Sequence, residues 1–232
     1  MSGIFKSSIG RKLVMSITGL FLVLFLLFHM SMNLVAAFSG PAYNAVCEFL
    51  GTNWYALAAT AVLALGFVFH IIYAFILTIR NRKARGNNSY AVTAKPKNVE
   101  WASQNMLVLG IIVVVGIGLH LAHFWYKMMF AELAGMENQF GATDGAAWIT
   151  YWFGQPAVAA VYVVWLVALW FHLTHGFWSA IQTLGWNNNI WIERWECISK
   201  IFATVVCAGF IIVVLGFALG IFPMFNSPVC GA

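Results

Sequence analysis

Charge is what this sequence lacks most. Twelve Lys or Arg and seven Asp or Glu make up only 8% of its 232 residues, against roughly a quarter in soluble domains. So few charges cannot clothe a surface that faces water on all sides, which excludes an ordinary soluble domain. Cysteine is sparse as well. Cys47, Cys197, Cys207 and Cys230 are scattered, and none forms a CxxC pair. That excludes a recognisable zinc or iron–sulfur motif. The net charge of +5 comes from basic residues near the ends of apolar runs, so it speaks of membrane topology and gives no sign of nucleic-acid binding.

What is abundant is apolar surface, with 62% hydrophobic residues and a mean hydropathy of +0.85. Five segments, about 12 to 37, 53 to 79, 103 to 130, 156 to 183 and 198 to 222, reach the roughly 20 residues that a helix needs to cross a bilayer. Their unbroken apolar character fits helices and not the alternating pattern of a barrel. The first run is too long for the apolar region of a signal peptide and is expected to be a retained helix. The connections are short, which leaves residues 1–232 as one transmembrane domain with its chemistry in or beside the bundle.

Orientation follows from the positive-inside rule. Lys6, Arg11 and Lys12 precede the first segment; Arg80, Arg82, Lys83, Arg85, Lys95 and Lys97 lie between the second and third; Arg194 and Lys200 lie between the fourth and fifth. The other side carries only Lys127. The N-terminus is therefore expected in the cytoplasm and the C-terminus outside. The basic stretch RNRKARGNNSYAVTAKPKN either meets anionic lipid or docks a soluble partner.

Ionisable residues at membrane depth are costly and mark function by default. All six histidines, His29, His70, His120, His123, His172 and His175, fall in the first four segments. His29 lies 18 residues beyond Arg11 and His120 lies 20 beyond Glu100, roughly 27 and 30 Å at helical rise, in the outer half. His70 is ten residues from Arg80 and His172 ten from Gln182, roughly 15 Å from the inner ends. Two pairs at two depths result. Facing neutral imidazoles suit six-coordinate haem iron, and the missing CxxCH motif favours haem b over covalent attachment. His123 and His175 follow at i+3, on nearly the same helix faces. Either they hydrogen-bond a haem propionate or quinone, or they simply pack. A non-haem metal centre built from the two HxxH pairs fits poorly, because the pairs lie in opposite halves. Ser16, Gly19, Gly66, Gly116, Gly118 and Gly176 offer small residues for a flat cofactor or for ordinary helix packing, and Gly216-xxx-Gly220 reads as a packing face on the fifth helix.

The segments GRKLVMSITGLFLVLFLLFHMSMNLV, YALAATAVLALGFVFHIIYAF, SQNMLVLGIIVVVGIGLHLAHFWYKM and FHLTHGFWSAIQTLGW together resemble the cytochrome b membrane subunit of succinate:quinone oxidoreductases. The match is to the single-chain, five-helix, dihaem type of succinate dehydrogenase and quinol:fumarate reductase. The resemblance implies that His70 and His172 hold a proximal haem b near the cytoplasm, and that His29 and His120 hold a distal one. It selects His120 over His123 and His172 over His175. It further implies a flavoprotein and an iron–sulfur subunit as soluble partners on the cytoplasmic face, a quinone such as menaquinone near the distal haem, and residence in a bacterial inner membrane. Glu48, the only acid in the first outer connection, is the candidate for proton transfer at the quinone. An anchor of another respiratory enzyme with two haems is the alternative. One departure stands out. Some dihaem fumarate reductases carry a glutamate, proposed to conduct protons, two residues before the fourth-helix ligand, where this chain has Trp170.

Overall fold

The computed structural model describes residues 7–51, 53–85 and 100–222. Cys230 and the basic residues Lys6, Lys95 and Lys97 lie outside them. The described chain is helical with no strand. Helix α1 (Ser8–Leu34) runs into a 3-10 turn, Val35–Ala37, and a short outer helix α2 (Gly40–Gly51) leads to α3 (Trp54–Arg85). One turn, α4 (Trp101–Gln104), precedes α5 (Met106–His120), a π-helix (Leu121–Phe130) and α6 (Ala131–Ala134). Helix α7 (Gly145–Phe153) leads to α8 (Pro156–Thr183), and α9 (Trp191–Ala218) ends the described chain. Among the described residues five spans are long and apolar enough to cross a membrane: Ser8–Ala37, Trp54–Ala84, Met106–Ala134, Pro156–Thr183 and Trp191–Ala218.

Several boundaries differ from the sequence reading. Helix α9 starts seven residues earlier than expected, so Arg194 and Lys200 belong to its first turns and not to a connection. Near its start the Arg194 guanidinium sits 5.0 Å from the Trp191 ring, a cation–π contact of the kind that suits an interfacial turn. The two connections expected on the outer side each contain a helix, α2 in the first and α7 in the second. The side chain of Asp144 caps α7 by accepting from Ala147 N at 3.2 Å, a bond of about 1 kcal/mol. Gly216 and Gly220 are no helix-packing pair. Gly220 has φ +64°, and Ile221 N donates to Gly216 O at 2.9 Å while Gly220 N donates to Phe217 O at 3.2 Å. This is a Schellman stop, which needs a left-handed residue. Phe222 folds back over Gly216, where any Cβ would collide with its ring.

Helix α8 is the hub, packing against α1, α5 and α9, while α3 packs chiefly along α1. Among the described residues, helices α3 and α5 have at most marginal contact with each other. They stand as two walls over α1 and α8, and the four histidines lie on these four helices. The core shared by α5, α8 and α9 is largely aliphatic and aromatic: Val113, Tyr162, Leu166, Leu169, Leu173, Val213 and Phe217 are all buried.

Candidate functional site: two facing histidine pairs

The structure brings His29 to His120, with ring centres 5.8 Å apart and planes at 82°. It brings His70 to His172 at 6.4 Å and 70°. Depth follows from shared helices. His70 lies against Thr18 of α1, eleven residues before His29, and His172 lies under Gly110 of α5, ten before His120. The pairs are thus separated by roughly 15 to 17 Å along the helices.

The outer pair is walled by aromatic rings. Phe25 and Phe210 stand 5.3 and 5.7 Å from His29; Phe124 and Trp165 stand 5.2 and 5.9 Å from His120. Gly116 makes the last contact possible, since a Cβ there would overlap the Trp165 indole, whose Nε1 donates to Val113 O at 3.2 Å. Polar partners reach His29 from the outer side. Asn33, one turn later, donates from Nδ2 to His29 O at 2.8 Å, and the same nitrogen lies 3.4 and 3.5 Å from the ring nitrogens. The Tyr43 hydroxyl of α2 donates to Asn33 Oδ1 at 2.9 Å. Burial, reinforced by the neighbouring Cys47, pushes the Tyr43 phenol well above its ordinary range, and burial raises the Cys47 thiol to about 11. Both stay protonated donors at neutral pH. Asn44 Nδ2 donates to Asp144 Oδ1 at 2.8 Å, and Ala146 N donates to Asn44 Oδ1 at 2.8 Å. These bonds fasten α2 to α7 as a cap over the outer pair.

His123 does not join His120 at the pair. The π-helix that starts one residue after His120 widens the turn and carries His123 to α7 and α8. There its ring stacks on Trp152 at 3.8 Å, and its Nδ1 meets the Tyr162 hydroxyl at 3.2 Å. His175 pairs with Glu100, Nδ1 to Oε2 at 3.2 Å, on the inner side. Among the described residues no three His, Cys, Asp or Glu converge as metal ligands. Trp170, in place of a glutamate, donates from Nε1 to Thr204 Oγ1 at 2.9 Å and ties α8 to α9. Glu48 is exposed on α2. The same helix, through Ala45, Val46, Phe49 and Leu50, forms with Phe28 and Met32 an apolar groove of about 440 Å³ beside the turn that carries His29.

The donor set fits a bis-imidazole iron centre. Two imidazoles bound to one metal through bonds of about 2 Å hold their ring centres about 6 Å apart, the spacing of both pairs. His172 Nδ1 is buried and has no hydrogen-bond partner among the described residues. An unsatisfied buried group of this kind costs about 1–3 kcal/mol.

Thr18, Asn33, Tyr43, Tyr162 and Trp152 escaped the reading of the sequence. Only Asn33 carried a signal there, being one helical turn from His29.

Comparison with known proteins yields a distant likeness. The chain is 26% identical over 163 residues to the succinate dehydrogenase cytochrome b558 subunit of Bacillus subtilis (strain 168), covering 70% of this chain and 72% of that protein. No family model matches the chain, and no solved structure matches it. The five long apolar helices mark a multi-span, all-helical membrane protein, and the likeness is consistent with a bacterial inner-membrane location.

Proposed function

We propose that this chain is the cytochrome b membrane anchor, with two haems b, of a succinate:quinone oxidoreductase. It passes electrons between a cytoplasmic iron–sulfur subunit and membrane quinone. The observation that carries the reading is the meeting of four histidines from four helices as two facing pairs, 5.8 and 6.4 Å between ring centres, at two depths. The likeness to the succinate dehydrogenase cytochrome b558 subunit of Bacillus subtilis adds weight. His70 and His172 would hold the inner haem and His29 and His120 the outer one. Haem with both axial sites filled supplies one-electron transfer with no open position for oxygen.

The residues of the chain do the remainder. Aromatic and aliphatic walls keep water from the imidazoles, and Asn33 with Tyr43 holds the outer end of α1 against the cap. In the apolar groove, Phe28, Met32 and Phe49 would bind the body of a quinone such as menaquinone. Glu48 on the same helix would exchange protons with it, since reduction of a quinone to a quinol takes up two protons with two electrons. Arg80, Arg82 and Lys83, exposed at the inner end of α3, provide a basic edge to receive the iron–sulfur subunit. That subunit would connect in turn to a flavoprotein, the second soluble partner that the resemblance implies. The N-terminus is cytoplasmic in this reading and the C-terminus outside.

A reduced-minus-oxidised spectrum of the purified protein, followed by redox titration, tests the proposal. Two b-type components are expected, and a spectrum with none sinks it.

A further inference from the structure

The inner pair contains an asymmetry that decides how its imidazoles are held. Thr18 lies on α1 beside His70 of α3. Its hydroxyl has one proton, directed to Val14 O at 2.8 Å and shared with Met15 O at 3.1 Å. Toward His70 Nδ1, 3.3 Å away, the same oxygen can therefore only accept. A hydrogen bond there requires Nδ1 to carry the proton. The other ring nitrogen, Nε2, is then the one with the lone pair.

Space confirms the docking of that ring edge. Gly19 follows Thr18, and a Cβ built on it would stand 3.3 Å from His70 Cε1 and 3.7 Å from Nδ1. Thr18 and Gly19 together form a seat, polar at one residue and bare at the next. His172, the other member of the pair, has no such seat, since its Nδ1 is buried without a partner among the described residues.

We infer that Thr18 is a positioning residue for His70, fixing the tautomer in which Nε2 presents its lone pair toward His172. The role rests on the proposed haem ligation for its purpose, though not for its geometry. A partner that accepts from the far nitrogen of a ligating histidine orients the ring and makes it a more basic ligand. A more basic ligand favours the oxidised metal, so Thr18 holds the potential of the inner centre down. The outer centre, with no contact to Thr18, is untouched.

Two measurements test this, one of them independent of haem. In the haem-free protein, nitrogen NMR of His70 should report the Nδ1-protonated tautomer in the wild type and a mixture of tautomers in Thr18→Val; an Nε2-protonated wild type overturns the inference. In the haem-loaded protein, Thr18→Val should raise the midpoint potential of the inner b-type component and leave the outer one in place, and Thr18→Ser should restore it. Unchanged inner potential in Thr18→Val, or an equal shift of both components, overturns it. A wild type without b-type components would sink the haem reading alone, because the tautomer assignment stands on the haem-free protein.

Discussion

At the scale of single residues, the histidines divide by what touches them. His29 and His70 each meet a hydroxyl- or amide-bearing side chain, whereas Nδ1 of His172 meets nothing among the described residues. His123 and His175 have partners of their own in Tyr162 and Glu100, which occupy their Nδ1 atoms. The HxxH spacing thus gives neighbours in sequence with separate environments. For His123 the physical reason is the π-helix, which no periodicity in LAHFWYKMMF announces. Glu48 is exposed on the helix that lines the groove, so its replacement should disturb chemistry more than folding. Glu48→Gln is expected to slow quinone turnover several-fold with both haem spectra intact. Equal turnover in variant and wild type would remove Glu48 from the proton path.

Among the elements, α2 and α7 were hidden in stretches that read as connections. Neither is long enough to announce itself by hydropathy, and their association depends on bonds such as Asn44 to Asp144, which lie a hundred residues apart in the chain. The five long helices were legible because an apolar run of membrane length permits little else. Their ends were less so: α9 begins at Trp191 within a stretch of mixed polarity, where aromatic residues and a charged pair serve an interfacial turn as well as a loop. Exposed Cys197 sits in the second turn of α9 and reports orientation. In a variant with Cys47, Cys207 and Cys230 replaced by Ser, a membrane-impermeant maleimide should label Cys197 in inverted vesicles and leave it unlabelled in intact cells. Labelling from outside would reverse the proposed topology.

For the whole molecule, the arrangement of walls holds two histidine pairs apart along the same helices, and the proposed function makes them two stops on one electron path. Inner and outer pairs share α1 as a common support, yet each draws its second histidine from a different helix, α8 within and α5 without. Within the complex with its soluble partners, His70→Ala or His172→Ala is expected to abolish the b-type component that succinate reduces first. His29→Ala or His120→Ala should spare that component and remove the other. Loss of the same component in all four variants would contradict two separate centres.

The chain alone was enough for the class of structure, the number of long helices, and the spacing of the histidines along them, because hydropathy and helical rise are local quantities that need no knowledge of neighbours. Contact needed the fold. Which helices stand as walls, which ring nitrogen Thr18 faces, how the cap closes through Tyr43, and why His123 turns from His120 all depend on side chains that meet across helices. Rise along an axis sets how deep a residue lies, but the rotation and pairing of packed helices decide what it touches.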